Sequence, residues 1–274
     1  MALLCFFATA QAAPTQRLLK RSGSDNPSLL HRSSPIMPAF AGPRTKYLST
    51  TSAEKNRTYY SHNWAGAVLP KSALSFAPTL ASVAATITVP IPTSSATNVQ
   101  GASAWVGIDG FVNTAAILQT GIDIVAFEGE DGSYKPWYQW YPDTAIYFDL
   151  EIEAGDVLVM TVYSTTKSTG VAIIQNNSTG ESATATVSAP HPGATLTGQS
   201  VEWIVEDYES GGSRVSFLDF GTVNFTGTEA RGRGNQTFGV GGNGVVIVDM
   251  LMDNSSIVAE ASVVGPSGVM VKYI

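Results

Sequence analysis

From Tyr59 to the C-terminus the chain runs in short stretches where apolar and polar residues alternate, and almost nowhere does an apolar face recur at a helical interval. VLVMTVY (157–163), GVAIIQN (170–176), SATATV (182–187), VVIVDML (245–251), IVAEASVV (257–264) and GVMVKY (268–273) each read as a strand. Gly, Asn, Ser and Pro separate them at intervals of roughly ten residues. Ile146, Phe148, Leu150 and Ile152 alternate with Tyr147, Asp149, Glu151 and Glu153, which predicts a further strand with one wet face. Regular short strands with turn signals predict an all-β body, an antiparallel two-sheet sandwich; no segment repeats, which argues against a propeller.

Four stretches depart from plain alternation. In SAWVGIDG (103–110), Val106 and Ile108 share one face and Trp105, Gly107 and Asp109 the other. In ILQTGID (117–123), Leu118, Thr120 and Ile122 oppose Ile117, Gln119, Gly121 and Asp123. Each strand thus pairs an apolar face with one that carries a Gly and a polar group, as at a groove where a ligand approaches the backbone. The competing reading makes Gly107 and Gly121 bulges and leaves Asp109 and Asp123 in water. PWYQWYPD (136–143) gathers Trp137, Tyr138, Trp140 and Tyr141, an aromatic wall for peptide or sugar, or part of a core. VEWIVEDYE (201–209) sets Glu202, Ile204 and Glu206 opposite Val201, Trp203 and Val205, with Asp207 and Glu209 following. Crowded acids raise one another's pKa, which suits a general acid or base in acidic medium; a solvated strand end is the alternative.

Composition narrows the chemistry. The 274 residues carry 15 basic and 22 acidic groups, three His and one Cys. A net charge of −7 argues against nucleic acid as partner, and no apolar run is long enough for a transmembrane helix. One Cys excludes a disulfide scaffold and a multi-Cys metal site, and there is no HExxH, GxSxG or GxxxxGK[ST]; no metal or cofactor is expected. Glu202 and Glu206 on one extended strand stand about 13 Å apart, at roughly 3.3 Å per residue, too far for a glycosidase pair.

The charge is unevenly placed. Residues 1–58 hold eight Lys or Arg and two acids, leaving seven basic and 20 acidic groups for residues 59–274. Residues 1–12 read as a signal peptide ending in Ala10-Gln11-Ala12, and residues 13–57 as a basic propeptide rich in Pro and Ser, with Lys20-Arg21 and Arg57 as processing points. The body, 58–274, is expected to be secreted. Asn56, Asn176, Asn177, Asn224, Asn235 and Asn254 head N-x-S/T sequons.

HNWAGAV (62–68), SAWVGIDG, TAAILQTGID (114–123), WYQWYPD (137–143) and VEWIVEDYE together, in this order and spacing over roughly residues 59–225, resemble the glutamic peptidases, or eqolisins, secreted acid endopeptidases known from filamentous fungi. The resemblance implies a concanavalin-like jelly-roll sandwich of two long, curved sheets with a flexible N-terminal prosegment. It implies a Gln–Glu dyad, which falls on Gln119 and Glu206. Trp64, Trp105, Asp109 and Asp123 fall on positions that line or brace the family site, and Trp137, Gln139, Tyr141 and Glu202 complete its expected surround. Two departures stand out. Several relatives carry disulfides, some with a Cys where this chain has Phe111 to Thr114, and some place an acid at Gln139.

The function expected from this reading is acid endopeptidase action on polypeptide substrates by a monomer, with its own propeptide as inhibitor. The alternative is a non-catalytic β-sandwich module that binds carbohydrate or peptide. The sparse basic groups of the body also predict a fold that withstands acid and is less stable near neutrality, where 20 carboxylates repel.

Overall fold

Period-two alternation becomes strand wherever an extended neighbour is available. The computed structural model describes residues 31–39, 57–76, 78–93, 98–127, 132–234, 236–253 and 255–274. The expected signal peptide, Lys20-Arg21, and the sequons at Asn56, Asn235 and Asn254 lie outside them. The main strands are β1 (Arg57–Ser61), β2 (Trp64–Pro70), β3 (Leu80–Thr88), β4 (Gln100–Ile108), β5 (Ile117–Ala126), β6 (Ser133–Tyr141), β7 (Val157–Ser164), β8 (Thr169–Asn176), β9 (Ser182–Ser188), β10 (Ser200–Glu206), β11 (Thr222–Gly232), β12 (Val246–Met252), β13 (Ser256–Val263) and β14 (Gly268–Tyr273).

These strands form two antiparallel sheets joined along β12. The first runs β6–β5–β4–β10–β2–β12. The second runs β13–β14–β11–β3–β7–β8–β9. Strand β12 pairs with β2 through Val246–Val248, then with β13 through Met250–Met252, and takes β1 alongside in parallel. Between the sheets lies an aliphatic core that includes Val83, Ile87, Val106, Leu118, Ile122, Met160, Val201 and Val205, together with Trp140 and Trp203. Among the described residues no helix is long and apolar enough to cross a membrane.

The first sheet is buried on its other face as well. A second apolar cluster there holds Trp64, Val68, Trp105, Ile117, Trp137 and Ile204. That is why β2 and β10 are buried at all seven positions. Residues 31–39 of the expected propeptide lie over this face: Ile36 joins its cluster, and His31 and Ser33 are fully buried.

The Ile146–Ile152 expectation needs correcting. Phe148 and Ile152 are buried and Leu150 packs on the core, but Ile146 is 40% exposed and only Ile146–Tyr147 joins a ladder. Alternating burial requires an extended chain against a core; a strand requires a partner as well. Asn176 is also removed from the free sequons, because its buried amide donates to Asp156 at 2.7 Å.

Candidate active site

The outer face of the first sheet is organised by cross-strand rungs. One rung reads Glu202, Gly107, Gln119, Gln139; the next reads Ile204, Trp105, Gly121, Trp137; the third reads Trp64, Glu206, Ser103, Asp123. Gly121 sits between two tryptophans because a Cβ there would run into the Ala104 carbonyl and the Trp105 backbone. The Trp105 ring reaches over Gly107, where a Cβ would meet its Cζ3, and Trp64 and Trp105 meet edge to face at 5.0 Å.

Glu206, at the end of β10, is buried. Trp105 Nε1 donates to its Oε2 at 2.9 Å; Ser34 N, at 2.9 Å, and Asn63 Nδ2, at 3.4 Å, donate to Oε1. Burial nevertheless dominates and pushes its pKa up to about 8; Ser34, Ser33 and Trp105 pull it back, and Asp207 adds repulsion. Asp207 itself is raised to about 6 by burial, against the pull of Arg214 at 3.3 Å.

Glu202 lies four residues back on the same face, fully buried, with no hydrogen-bond partner for either oxygen among the described residues. Burial holds its pKa well above the carboxylate range, and the Asp109 carboxylate adds to this; the nearby Ser200 hydroxyl eases it without a formed bond.

Gln119 Nε2 donates to Gln139 Oε1 at 2.8 Å, while Gln119 Oε1 is buried and has no partner among the described residues. Gln139 Nε2 in turn donates to the Asp143 carbonyl at 2.5 Å and to the Ser33 carbonyl at 3.3 Å. The amide at position 139 therefore fixes the orientation of Gln119 without adding charge.

Asp123 is buried at one end of the cleft. Ser103 Oγ, at 2.9 Å, and Tyr147 OH, at 3.0 Å, donate to it, and Trp137 Nε1 donates to Ser103 Oγ at 3.1 Å. His31 Nδ1 lies 3.1 Å from Asp123 Oδ1 without the alignment of a hydrogen bond. The imidazole packs between Trp137 and Tyr208, at 4.7 and 4.4 Å. Burial, then the Asp123 charge, raises the Tyr147 phenol far above its ordinary pKa.

Asp109 is buried too, but turns away from Glu206. It accepts from the backbone N–H groups of Thr197, Gly198 and Gln199 at 2.6, 3.1 and 2.8 Å, so it braces the loop that enters β10. Neither Asp109 nor Asp123 faces water. Tyr141, at the edge of the cleft, takes the Arg32 guanidinium over its ring at 5.6 Å.

Residues 31–39 run through this site as a two-residue strand, His31–Arg32, followed by a chain that bends at Pro35. His31–Arg32 pairs with Glu209–Ser210, which forms a short hairpin with Ser213–Arg214. Trp64 Nε1 donates to the Ser34 carbonyl at 3.0 Å and Asn63 Nδ2 to the Pro35 carbonyl at 3.2 Å; Met37 N donates to Asn63 Oδ1 at 2.8 Å. Asn63, Ser103, Tyr147 and Tyr208 were not singled out by the sequence. Asn63 adjoins Trp64 in HNWAGAV and Tyr208 follows Asp207, which is the signal that points to them.

Residues 62–273 match the sequence model of the Peptidase A4 family. The chain is 38% identical over 289 residues to Aspergillopepsin-2 of Aspergillus niger, an alignment covering 98% of this chain and 96% of that protein. It is 36% identical over 166 residues to Scytalidopepsin B of Scytalidium lignicola, 59% of each. Among solved structures, scytalido-glutamic peptidase with a peptide-based transition-state analogue superposes with a TM-score of 0.66 at 30% identity, covering 78% of this chain and 98% of that one. Aspergilloglutamic peptidase from Aspergillus niger gives a TM-score of 0.58 at 45% identity, covering 64% and 99%.

Proposed function

The chain belongs to the peptidase A4 family and is a glutamic-type peptidase, and from that premise we propose that it is a secreted acid endopeptidase in which Glu206 activates water and Gln119 orients that water and stabilises the tetrahedral oxyanion. Family membership decides against the non-catalytic binding module. The observation that supports these roles is the placing of one peptide unit: Glu206 Oε1 accepts from Ser34 N, and Gln139, itself holding Gln119, donates to the Ser33 carbonyl.

In this mechanism the ionised Glu206 takes a proton from water as the water oxygen attacks the carbonyl carbon, and returns it to the leaving nitrogen. Trp105 and Asn63 hold the carboxylate as charge changes on it. Gln119 Oε1, which has no partner among the described residues, accepts the second hydrogen of the water. The remaining N–H of Gln119 and the Gln139 amide stabilise the negative oxygen, each donor being worth about 3–4 kcal/mol of barrier. Trp64, Trp105, Trp137 and Tyr141 wall the cleft, and Asp109 and Asp123 brace its two ends.

Residues 13–57 act in this reading as an inhibitory propeptide of a monomeric enzyme. Segment 31–39 supports it by filling the cleft, mostly through backbone hydrogen bonds and the buried His31 rather than net charge. The test is digestion of a denatured protein at about pH 4, with pepstatin as a control for aspartic peptidases. Cleavage by the wild-type chain and none by Glu206→Gln is expected; equal cleavage by both overturns the assignment.

A further inference from the structure

We propose that Ser33–Ser34 is a self-cleavage site: segment 31–39 lies in the cleft and presents this one bond to Glu206 and the Gln119–Gln139 pair. The inference rests on the peptidase reading and adds to it the bond that the chain cuts in itself.

The two ends of the Ser33–Ser34 peptide unit are held by different halves of the site. Its carbonyl oxygen accepts from Gln139 Nε2 at 3.3 Å, and its N–H donates to Glu206 Oε1 at 2.9 Å. The oxygen that becomes negative thus faces an amide donor, and the nitrogen that leaves lies beside the group that carries the proton. A segment that merely blocked the cleft has no need to place a peptide unit, rather than a side chain, between these groups.

Both flanks are held through their backbone, as a bound peptide is. Upstream, His31 and Arg32 add to the Glu209–Ser210 strand, and the His31 carbonyl accepts from Ala145 N at 3.0 Å. Downstream, the Ser34 and Pro35 carbonyls accept from Trp64 and Asn63, Ile36 N donates to the Gly110 carbonyl at 3.3 Å, and the Met37 carbonyl accepts from His62 N at 2.8 Å. The register is fixed from both sides, so Ser33–Ser34 cannot slip by a residue without breaking contacts on each.

In the cut itself the water oxygen bonds to the Ser33 carbonyl carbon and one water proton passes to Glu206. The carbon–nitrogen bond breaks as a proton reaches Ser34 N, leaving a carboxyl group on Ser33 and an amine on Ser34. After the cut, Ser34 to Ala39 stay joined to β1 through residues 40–56.

The experiment shifts purified full-length chain to acid and follows it by intact mass and N-terminal sequencing, with denatured protein added to a parallel sample. The expected result is a fragment ending at Ser33 and a chain beginning at Ser34, with a half-time that does not change on about 100-fold dilution, as an intramolecular step requires. Ser34→Pro, which removes the N–H that faces Glu206, should eliminate the Ser34 terminus, and so should Glu206→Gln. Cleavage of the added protein with no Ser34 terminus at any time overturns the self-cleavage site and leaves the peptidase reading intact. A Ser34 terminus that persists in Glu206→Gln, or that forms more slowly in proportion to dilution, overturns it as well. Failure to cut either the added protein or itself overturns the peptidase reading and this inference with it.

Discussion

Glu202 and Glu206 lie on one strand, face the same way and are both fully buried, yet their surroundings differ in kind. Three donors, Trp105 Nε1, Ser34 N and Asn63 Nδ2, reach Glu206. Among the described residues none reaches Glu202, whose rung neighbours are Val68 and Gly107 and whose pKa is raised further by another carboxylate, Asp109. Burial raises both pKa values, but only the acid with donors has a means of carrying charge when it ionises. The difference separates a carboxyl that can cycle from one held neutral, and burial alone does not distinguish them.

The sharpest break of this comparison is a pair of isosteric changes. Glu206→Gln should lower kcat by about 10²–10⁴-fold or more, the worth of a general base. Glu202→Gln, which only fixes the neutral form, should leave kcat within about twofold of wild type. The reverse ranking would assign the chemistry to Glu202. Gln119→Ala should cost about 10²–10³-fold in kcat, the loss of one positioned donor, and near-normal turnover would remove Gln119 from the mechanism.

A smaller effect is expected in stability. Glu202 is raised well above the ordinary range, Glu206 to about 8, and Asp207 and Asp249 to about 6, all by burial first. Each favours the protonated form in the folded chain, so its contribution is complete below the unfolded carboxyl range and is lost as pH rises through the folded-state value. The full-length chain should therefore melt highest in acid and lose Tm between about pH 4 and 8. Glu202→Gln should raise Tm at pH 7, where the carboxyl is otherwise held neutral against its ordinary tendency to ionise, and should leave it unchanged at pH 4. A Tm that peaks at pH 7 in the wild type would contradict the assignment.

The smallest shift concerns tuning. Trp105→Phe removes a hydrogen bond that favours the charged form of Glu206, so the acidic limb of kcat/KM should move up by about one pH unit or less. A downward move would mean that the indole acts on something other than Glu206.

The strands and the face each residue takes were legible because they depend on local alternation. GVMVKY (268–273) becomes β14 over the same residues, and Glu202, Ile204 and Glu206 share the outer face as the period requires. The Ile146–Ile152 segment shows the limit, since period two reports burial and not pairing. The environments of Asn63, Tyr208 and His31 depend on contacts far apart in sequence, such as His31 with Asp123, and no local period encodes those. The motif match supplied Gln119 and Glu206; alternation alone left Glu202 and Glu206 equal.

Residues 40–56 make a covalent connection of 17 residues between the cleft segment and β1. Joined in this way, the segment meets the cleft at an effective concentration on the order of millimolar, whatever the concentration of the protein. An intrinsic dissociation constant of about 0.1 mM would then keep roughly nine molecules in ten occupied, whereas the same peptide free at micromolar levels would leave the cleft almost empty. The connection, more than the strength of the contacts, makes the occupancy concentration-independent, and severing it anywhere along its length converts a resident group into a dilute one.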